Sequence, residues 1–246
     1  MAILVTGGTK GIGRAIAERF AKPGVDVFLN FLSDQDAAEQ TRAAVAAHGA
    51  HAHLLQGDVS TARGAAAVLK TVAARTQRLD QLVHCAVRVI SGPLLEMDPV
   101  AFTEAVNLNG TALLYLVQAA RPLLQRGSTV FFLTSRGSRV PLPGYAAVGV
   151  PKAMAEALVR YLALELAPLG VRANCVAPGA VDTEALRRVY GEKTDEILRQ
   201  SAAASPSGRN VTADDYCGLI EYLASPAAEM IQGQVVFVTG GSYLAP

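Results

Sequence analysis

A tyrosine and a lysine stand seven positions apart in the middle of the chain, in Gly144-Tyr145-Ala146-Ala147-Val148-Gly149-Val150-Pro151-Lys152. A phenol can donate a proton, and a nearby ammonium helps it by placing positive charge where negative charge will form. That is the chemistry of protonating an oxyanion after hydride has reached a nearby carbon. A hydride carrier is implied near the N-terminus. Thr6-Gly7-Gly8-Thr9-Lys10-Gly11-Ile12-Gly13 follows one apolar run and opens a helical pattern. Glycines let a pyrophosphate approach the backbone, and the helix N-terminus adds unpaired N–H groups and partial positive charge. The strand–loop–helix context makes this a dinucleotide-binding signal. It nominates Gly7, Thr9, Lys10, Gly11, Ile12 and Gly13 as cofactor contacts.

The elements that must position these groups are legible as alternation. Short β-branched runs read as strands at Ile3–Thr6, Val25–Phe31, Ala52–Gln56, Gln81–Cys85, Thr129–Thr134, Val171–Val176 and Val235–Val238. Between them, apolar residues recur at helical spacing in Arg14–Lys22, Asp36–Ala47, Ala62–Gln77, Pro99–Leu124 and Lys152–Ala167. Such alternation predicts an α/β fold, a single Rossmann-type doubly wound domain with a seven-stranded parallel sheet flanked by helices. Residues 1–246 form one dinucleotide-binding catalytic domain in this reading. Residues 181–210 follow a strand, carry a polar helix candidate (Thr183–Ser201) and read as a substrate lid.

Composition narrows the function classes. Twenty-two Lys and Arg nearly cancel 21 Asp and Glu, which gives no electrostatic case for nucleic acid or an anionic membrane. No apolar run is expected to approach the ~20 residues of a membrane span. The chain opens directly on a strand, so no leader is expected and the location reads as cytoplasmic. Cys85, Cys175 and Cys217 are scattered and fit a reduced compartment and packed thiols. His48, His51 and His53 are spaced like ligands, but no Cys or carboxylate completes a set in the sequence, so no metal is expected. His84 ends a strand and reads as a packed core residue.

The cofactor's 2′-position is decided after the second strand. An NAD site would place an acid there, yet Leu29-Asn30-Phe31-Leu32-Ser33 offers none before Asp34. Lys10 and Arg14 could each meet a 2′-phosphate. NADPH is expected over NADH, with Asp34 and Asp36 weighing the other way.

Taken together, the motifs resemble those of the short-chain dehydrogenase/reductase family over essentially the whole chain. The glycine loop is similar to the family's TGxxxGxG. Asp58-Val59 resembles the pair that contacts the adenine. Asn107, in Val106-Asn107-Leu108-Asn109-Gly110, resembles the family's active-site Asn, held to support a backbone kink and a water feeding the Lys. Ser135 and Lys152 stand at the catalytic Ser and Lys positions. Pro178-Gly179-Ala180-Val181-Asp182-Thr183 resembles the segment that holds the nicotinamide carboxamide. The resemblance thus implies Tyr145, Lys152, Ser135 and Asn107 as catalytic. As cofactor contacts it adds Ser33, Asp58, Val59, Ala86, Tyr145, Lys152, Pro178, Gly179, Val181 and Thr183. Three departures stand out. Val148 occupies the usual Tyr position, four before the Lys; His84-Cys85-Ala86-Val87 replaces NNAG; and Thr239 stands where Asp is common. Arg88 has no assigned role.

Tyr-x6-Lys is the spacing of the family's enoyl-thioester reductases. The segments Ser135-Arg136-Gly137, Val148-Gly149-Val150 and Met230-Ile231-Gln232-Gly233-Gln234 resemble the NADPH-dependent enoyl-acyl-carrier-protein reductase III type. Residues i and i+7 on a helix lie ~10.5 Å apart along the axis, against ~6 Å for i and i+4. In ketone reduction the oxyanion forms beside the carbon that takes hydride. In enoyl-thioester reduction it forms several bonds away, so a relocated donor suits it. Pro151 belongs in a first helical turn, which places the start of the regular helix near Val148, with Tyr145 on its approach. The expected function is NADPH-dependent reduction of an enoyl thioester on carrier protein or coenzyme A, in fatty-acid or polyketide biosynthesis. The alternatives are a ketoreductase or alcohol dehydrogenase of the same family and a non-catalytic NADP(H)-binding protein. The resemblance also implies a homodimer or homotetramer packed through the helix at Ala153–Leu166.

Overall fold

Seven apolar runs become seven strands, all parallel, in the order β3-β2-β1-β4-β5-β6-β7. The structure, a computed structural model, describes residues 1–242. The strands are β1 (Ala2–Thr6), β2 (Asp26–Phe31), β3 (His51–Gln56), β4 (Gln81–His84), β5 (Thr129–Leu133), β6 (Arg172–Pro178) and β7 (Val235–Val238). The helices are α1 (Gly11–Phe20), α2 (Gln35–Ala47), α3 (Ala62–Ala73), α4 (Pro99–Val106), α5 (Ala112–Ala120), α6 (Ala146–Leu166), α7 (Glu184–Tyr190), α8 (Thr194–Ala204) and α9 (Ala213–Ala224). Alternate residues of each inner strand feed opposite cores, as period-2 geometry requires. Leu4, Phe28, Leu82 and Phe132 pack with α3, α5 and α6. Ile3, Val27, Val83 and Phe131 pack with α1 and α9 on the other face.

The sequence expectation is met strand by strand, within one or two residues. The helices depart more. The long Pro99–Leu124 stretch is α4, a π-helical turn at Asn107–Thr111, α5 and a 3-10 turn at Arg121–Leu123. The described chain therefore has one helix, Pro99–Leu123, long and apolar enough to cross a membrane by length and composition. The sequence alone predicts none. In the fold its Leu113, Leu116, Val117 and Ala120 sit in the core beside α3 and α6. The polar stretch after residue 181 forms two helices, α7 and α8, and α9 is a further helix beyond those the sequence periodicity predicts.

α6 begins at Ala146, two residues earlier than its proline suggested. Tyr145 is its N-cap residue, and Pro151 lies inside the helix. Proline there removes the N–H that would reach Ala147 O and should weaken the helix. The buried Asn109 supplies the missing donor: its Nδ2 donates to Ala147 O at 3.0 Å. The same amide group donates to Arg88 O (2.9 Å), and its Oδ1 accepts from Arg88 N (2.7 Å). One side chain thus ties the π-helical turn, the loop after β4 and the first turns of α6.

Candidate active site

A cleft of about 420 Å³ opens at the carboxyl ends of the strands where the sheet order reverses, between β1 and β4. Doubly wound sheets bind ligands at this switch point. Fourteen of the sequence-nominated residues line it: Gly7, Thr9, Lys10, Gly11, Ile12, Ser33, Ala86, Ser135, Tyr145, Lys152, Pro178, Gly179, Val181 and Thr183. Gly13, Asp58, Val59 and Asn107 do not. Gly13 lies under the loop, where a Cβ would stand 2.2 Å from Gly7 O. Asp58 turns its carboxylate to Ser60 N at 2.9 Å, and Val59 is packed in the core. Asn107 begins the π-helical turn, which matches the backbone kink expected of it, but away from the cleft lining.

The glycine loop fits a pyrophosphate. A Cβ at Gly7 would fall 2.8 Å from Ala86 Cα, so only glycine lets the loop press against the wall after β4. The N-cap residue of α1, Lys10, makes no side-chain capping bond, which leaves the first N–H groups of α1 to an anion. Lys10 itself is engaged at the cleft edge. Its ammonium lies 2.5 Å from Asp34 and 2.9 Å from Glu184, the first residue of α7. Those carboxylates, Asp34 first, hold the lysine above its ordinary pKa. A 2′-phosphate at this edge would share Lys10 with both. Arg14, the other residue nominated for that phosphate, is turned to Glu18 at 2.7 Å and does not line the cleft.

The catalytic candidates converge from the end of β5 and the start of α6. Tyr145 donates its hydroxyl to Ser135 Oγ at 3.3 Å. Its ring rests on Gly137, where a Cβ would come within 2.5 Å of Cδ1 and Cε1. Lys152, only 5% exposed, donates from Nζ to Leu133 O and lies 4.6 Å over the Phe132 ring. Burial pushes its pKa down to about 8. Val148, four residues before Lys152, lines the cleft with an aliphatic side chain, so no second phenol competes there.

The altered segment after β4 has its own order. His84 is fully buried; its Nε2 lies 3.0 Å from Leu108 O and must donate to it, so Nδ1 accepts from Thr6 Oγ1 at 2.7 Å. Burial first, then the Lys152 charge, lowers its pKa to about 3, and the ring stays neutral. Burial likewise raises the Cys85 thiol to about 11, which makes it inert although it borders the cleft. The Arg88 side chain meets Glu104 at 2.7 Å. His53 and His51 both approach the Asp26 carboxylate, at 2.8 and 3.6 Å, a partner the sequence spacing did not reveal. Among the described residues no group of three or more His, Cys, Asp or Glu could hold a metal ion.

Two polar residues central to this geometry were not read from the sequence as site residues. Glu156 interrupts the apolar stripe of α6, and Asn109 follows Asn107 by two. An acid on a buried helix face and a proline inside a helix were the available signals.

The glycine loop, the cleft and the Tyr–Lys pair have counterparts in known proteins. A family described as enoyl-(acyl carrier protein) reductase matches residues 7–243. The chain belongs to the short-chain dehydrogenase/reductase family. The 1-cyclohexenylcarbonyl-CoA reductase of Streptomyces collinus is 32% identical over 99% of this chain and 87% of that relative. A 3-oxoacyl-(acyl-carrier-protein) reductase of Staphylococcus aureus is 30% identical over 98% of this chain and 97% of its own length. A short-chain dehydrogenase from Burkholderia cenocepacia, solved in complex with NADP, superposes with a TM-score of 0.88 at 28% identity, covering 98% of this chain and 96% of that one. The protein is thus an oxidoreductase of this family, and its relatives' names divide between C=C and carbonyl substrates.

Proposed function

We propose that this protein reduces the activated C=C bond of an enoyl thioester with NADPH, the acyl group being carried on coenzyme A or carrier protein in the cytoplasm. The observation that carries the reading is the place of the phenol. Tyr145 stands at the N-cap of α6, hydrogen-bonded to Ser135, while Val148 fills the position four before Lys152. The donor therefore approaches from one helical turn further out, which suits an oxyanion remote from the carbon that takes hydride. The Streptomyces relative, named for reduction of a cyclohexenyl thioester, supports the same chemistry.

NADPH, when bound, supplies the hydride. The glycine loop and the N-terminus of α1 would hold its pyrophosphate, Lys10 and Ser33 its 2′-phosphate, and Pro178, Gly179, Val181 and Thr183 its nicotinamide end. The protein's own groups manage the proton. Hydride delivery to Cβ leaves an enolate whose thioester oxygen needs a donor; Tyr145 gives it a hydrogen bond or its proton, and the saturated thioester forms as Cα takes up a proton from solvent while the oxygen returns to a carbonyl. The Lys152 ammonium favours loss of that proton, and Ser135 orients the phenol and the substrate oxygen. Asn107 serves through its backbone, beginning the π-helical turn that packs on α6 at Pro151, next to Lys152.

Residues 181–210, with α7 and α8, act as the substrate lid in this reading. Val181, Leu186 and Val189 face the cleft from it and suit an apolar acyl chain. The exposed Tyr161 and Leu164 on α6 support packing against a second copy, as a homodimer or homotetramer. A carbonyl-reducing reading is favoured by the Staphylococcus relative and by the Tyr145–Ser135 bond, which would serve a ketone oxygen equally. Following NADPH oxidation with a crotonyl thioester and, in parallel, an acetoacetyl thioester separates the two. Turnover of the first supports conjugate reduction, and turnover of the second alone overturns it.

A further inference from the structure

Glu156 is a carboxylate in a place that burial disfavours. It is 5% exposed on α6, one turn beyond Lys152 and on the same helix face. Buried charges persist only when hydrogen-bonded or paired, and this one is. Its Oε1 accepts from Thr134 Oγ1 at 2.7 Å and from Ser138 Oγ at 2.5 Å. Its Oε2 lies 3.6 Å from Arg139 Nε, and the Arg139 guanidinium is 4.7 Å from the centre of the Phe237 ring on β7.

Every one of those partners belongs to the segment that carries Ser135. Thr134 precedes it at the end of β5. Ser138 closes the 3-10 turn Arg136–Ser138, with its Oγ also 2.7 Å from Ser135 O. Gly137 lies inside that turn and is the surface on which the Tyr145 ring rests. The backbone of the turn also packs on α6, since a Cβ at Gly149 would stand 2.4 Å from Gly137 O. The turn that fixes both Ser135 and the ring of Tyr145 is therefore clamped to the helix bearing Lys152, and the carboxylate is the only side chain described as bonding to both Thr134 and Ser138.

We propose that Glu156 is a positioning residue: it holds the Ser135–Ser138 turn against α6 and thereby fixes the Tyr145 hydroxyl relative to Lys152. The inference rests on the assignment of Tyr145, Ser135 and Lys152 made above, but not on which thioester is the substrate. A carboxylate serves here because one oxygen takes two hydroxyl donors while the other faces Arg139. A leucine of similar size would fill the space and release the turn. A glutamine keeps an oxygen for the hydroxyls.

The test compares Glu156→Leu, Glu156→Gln and Ser138→Ala with the wild type. The readouts are thermal unfolding, NADPH affinity by fluorescence titration, kcat and KM with whichever thioester the wild type reduces, and the 13Cζ NMR resonance of Tyr145 in the cofactor-free protein, assigned with Tyr145→Phe. Displacing a catalytic group by about 1 Å costs up to about a hundredfold, so Glu156→Leu should lower kcat by about ten- to a hundredfold and move the Tyr145 resonance, with the NADPH Kd held within about threefold. Glu156→Gln should recover most of the loss. An unmoved resonance with wild-type kcat in Glu156→Leu overturns the proposal. So does an equal fall of kcat, NADPH affinity and melting temperature in both Glu156 variants. If Glu156→Leu does not fold, Ser138→Ala must still move the resonance, and an unmoved one overturns it. A wild type that reduces neither thioester defeats the proposed function, while the Tyr145 resonance still decides the role of Glu156.

Discussion

Removing the Asn109 side chain strikes a point where a helix defect and its repair meet. Asn109→Ala leaves three backbone groups without their partner: Arg88 N, Arg88 O and Ala147 O. A buried group left unpaired costs ~1–3 kcal/mol, and water can reach the more exposed Arg88 groups, so the expected loss of stability is about 3–5 kcal/mol. The informative step is a second change. Pro151→Ala restores a backbone N–H that can bond Ala147 O within α6, so one of the three groups no longer depends on Asn109. Asn109→Ala should then cost ~1–2 kcal/mol less in the Pro151→Ala background than alone. Urea unfolding of the four proteins of this double-mutant cycle measures the coupling. Costs that add to within ~0.5 kcal/mol would refute the claim that Asn109 substitutes for the proline's missing donor.

Two further predictions concern charge. Lys152 has a folded pKa of about 8 against an ordinary 10.5, so between those pH values the unfolded chain holds its proton longer and this group's contribution to stability rises with pH. That contribution should approach ~3 kcal/mol, read as the stability change of the wild type from pH 7.5 to 10.5 minus that of Lys152→Met, because the buried thiols Cys85, Cys175 and Cys217, with raised pKa values, move the total the other way in both proteins. Activity should move oppositely, with kcat falling above about pH 8 as the ammonium discharges; a kcat that stays level to pH 9.5 contradicts a charged-lysine role. At the cleft edge, Lys10→Ala removes the cation proposed for the 2′-phosphate. A charge-assisted bond of ~1.5–3 kcal/mol translates to about a ten- to hundredfold weaker NADPH Kd, with NADH affinity little changed, read by fluorescence titration. Equal weakening of both nucleotides would remove Lys10 from cofactor choice.

The strands were legible because parallel strands covered on both faces read as unbroken apolar runs, and the glycine loop because its spacing is local. Tyr145, Ser135 and Lys152 do meet in one cleft as the motifs implied. What escaped was non-local. Pro151 argued for a later helix start until Asn109, 42 positions upstream of it, is seen to supply the absent donor. Lys10 looked free for phosphate, but Asp34 and Glu184 come to it from the cap of α2 and the start of α7, and no sequence window contains all three. Glu156 was hidden in an apolar stripe because its partners lie on β5 and the following turn.

The central claim is that Tyr145, from its displaced position, donates to the enolate oxygen that forms when hydride adds to Cβ. The direct measurement is the rate of NADPH oxidation with crotonyl thioester, with the product identified by mass, for the wild type and Tyr145→Phe side by side. Loss of a positioned proton donor is worth about 10²–10⁴-fold, so the wild type should form the saturated thioester while Tyr145→Phe, still binding NADPH, should lose that much in kcat. A Tyr145→Phe variant that keeps the wild-type rate, or a wild type that leaves crotonyl thioester untouched while reducing the acetoacetyl thioester, would contradict it.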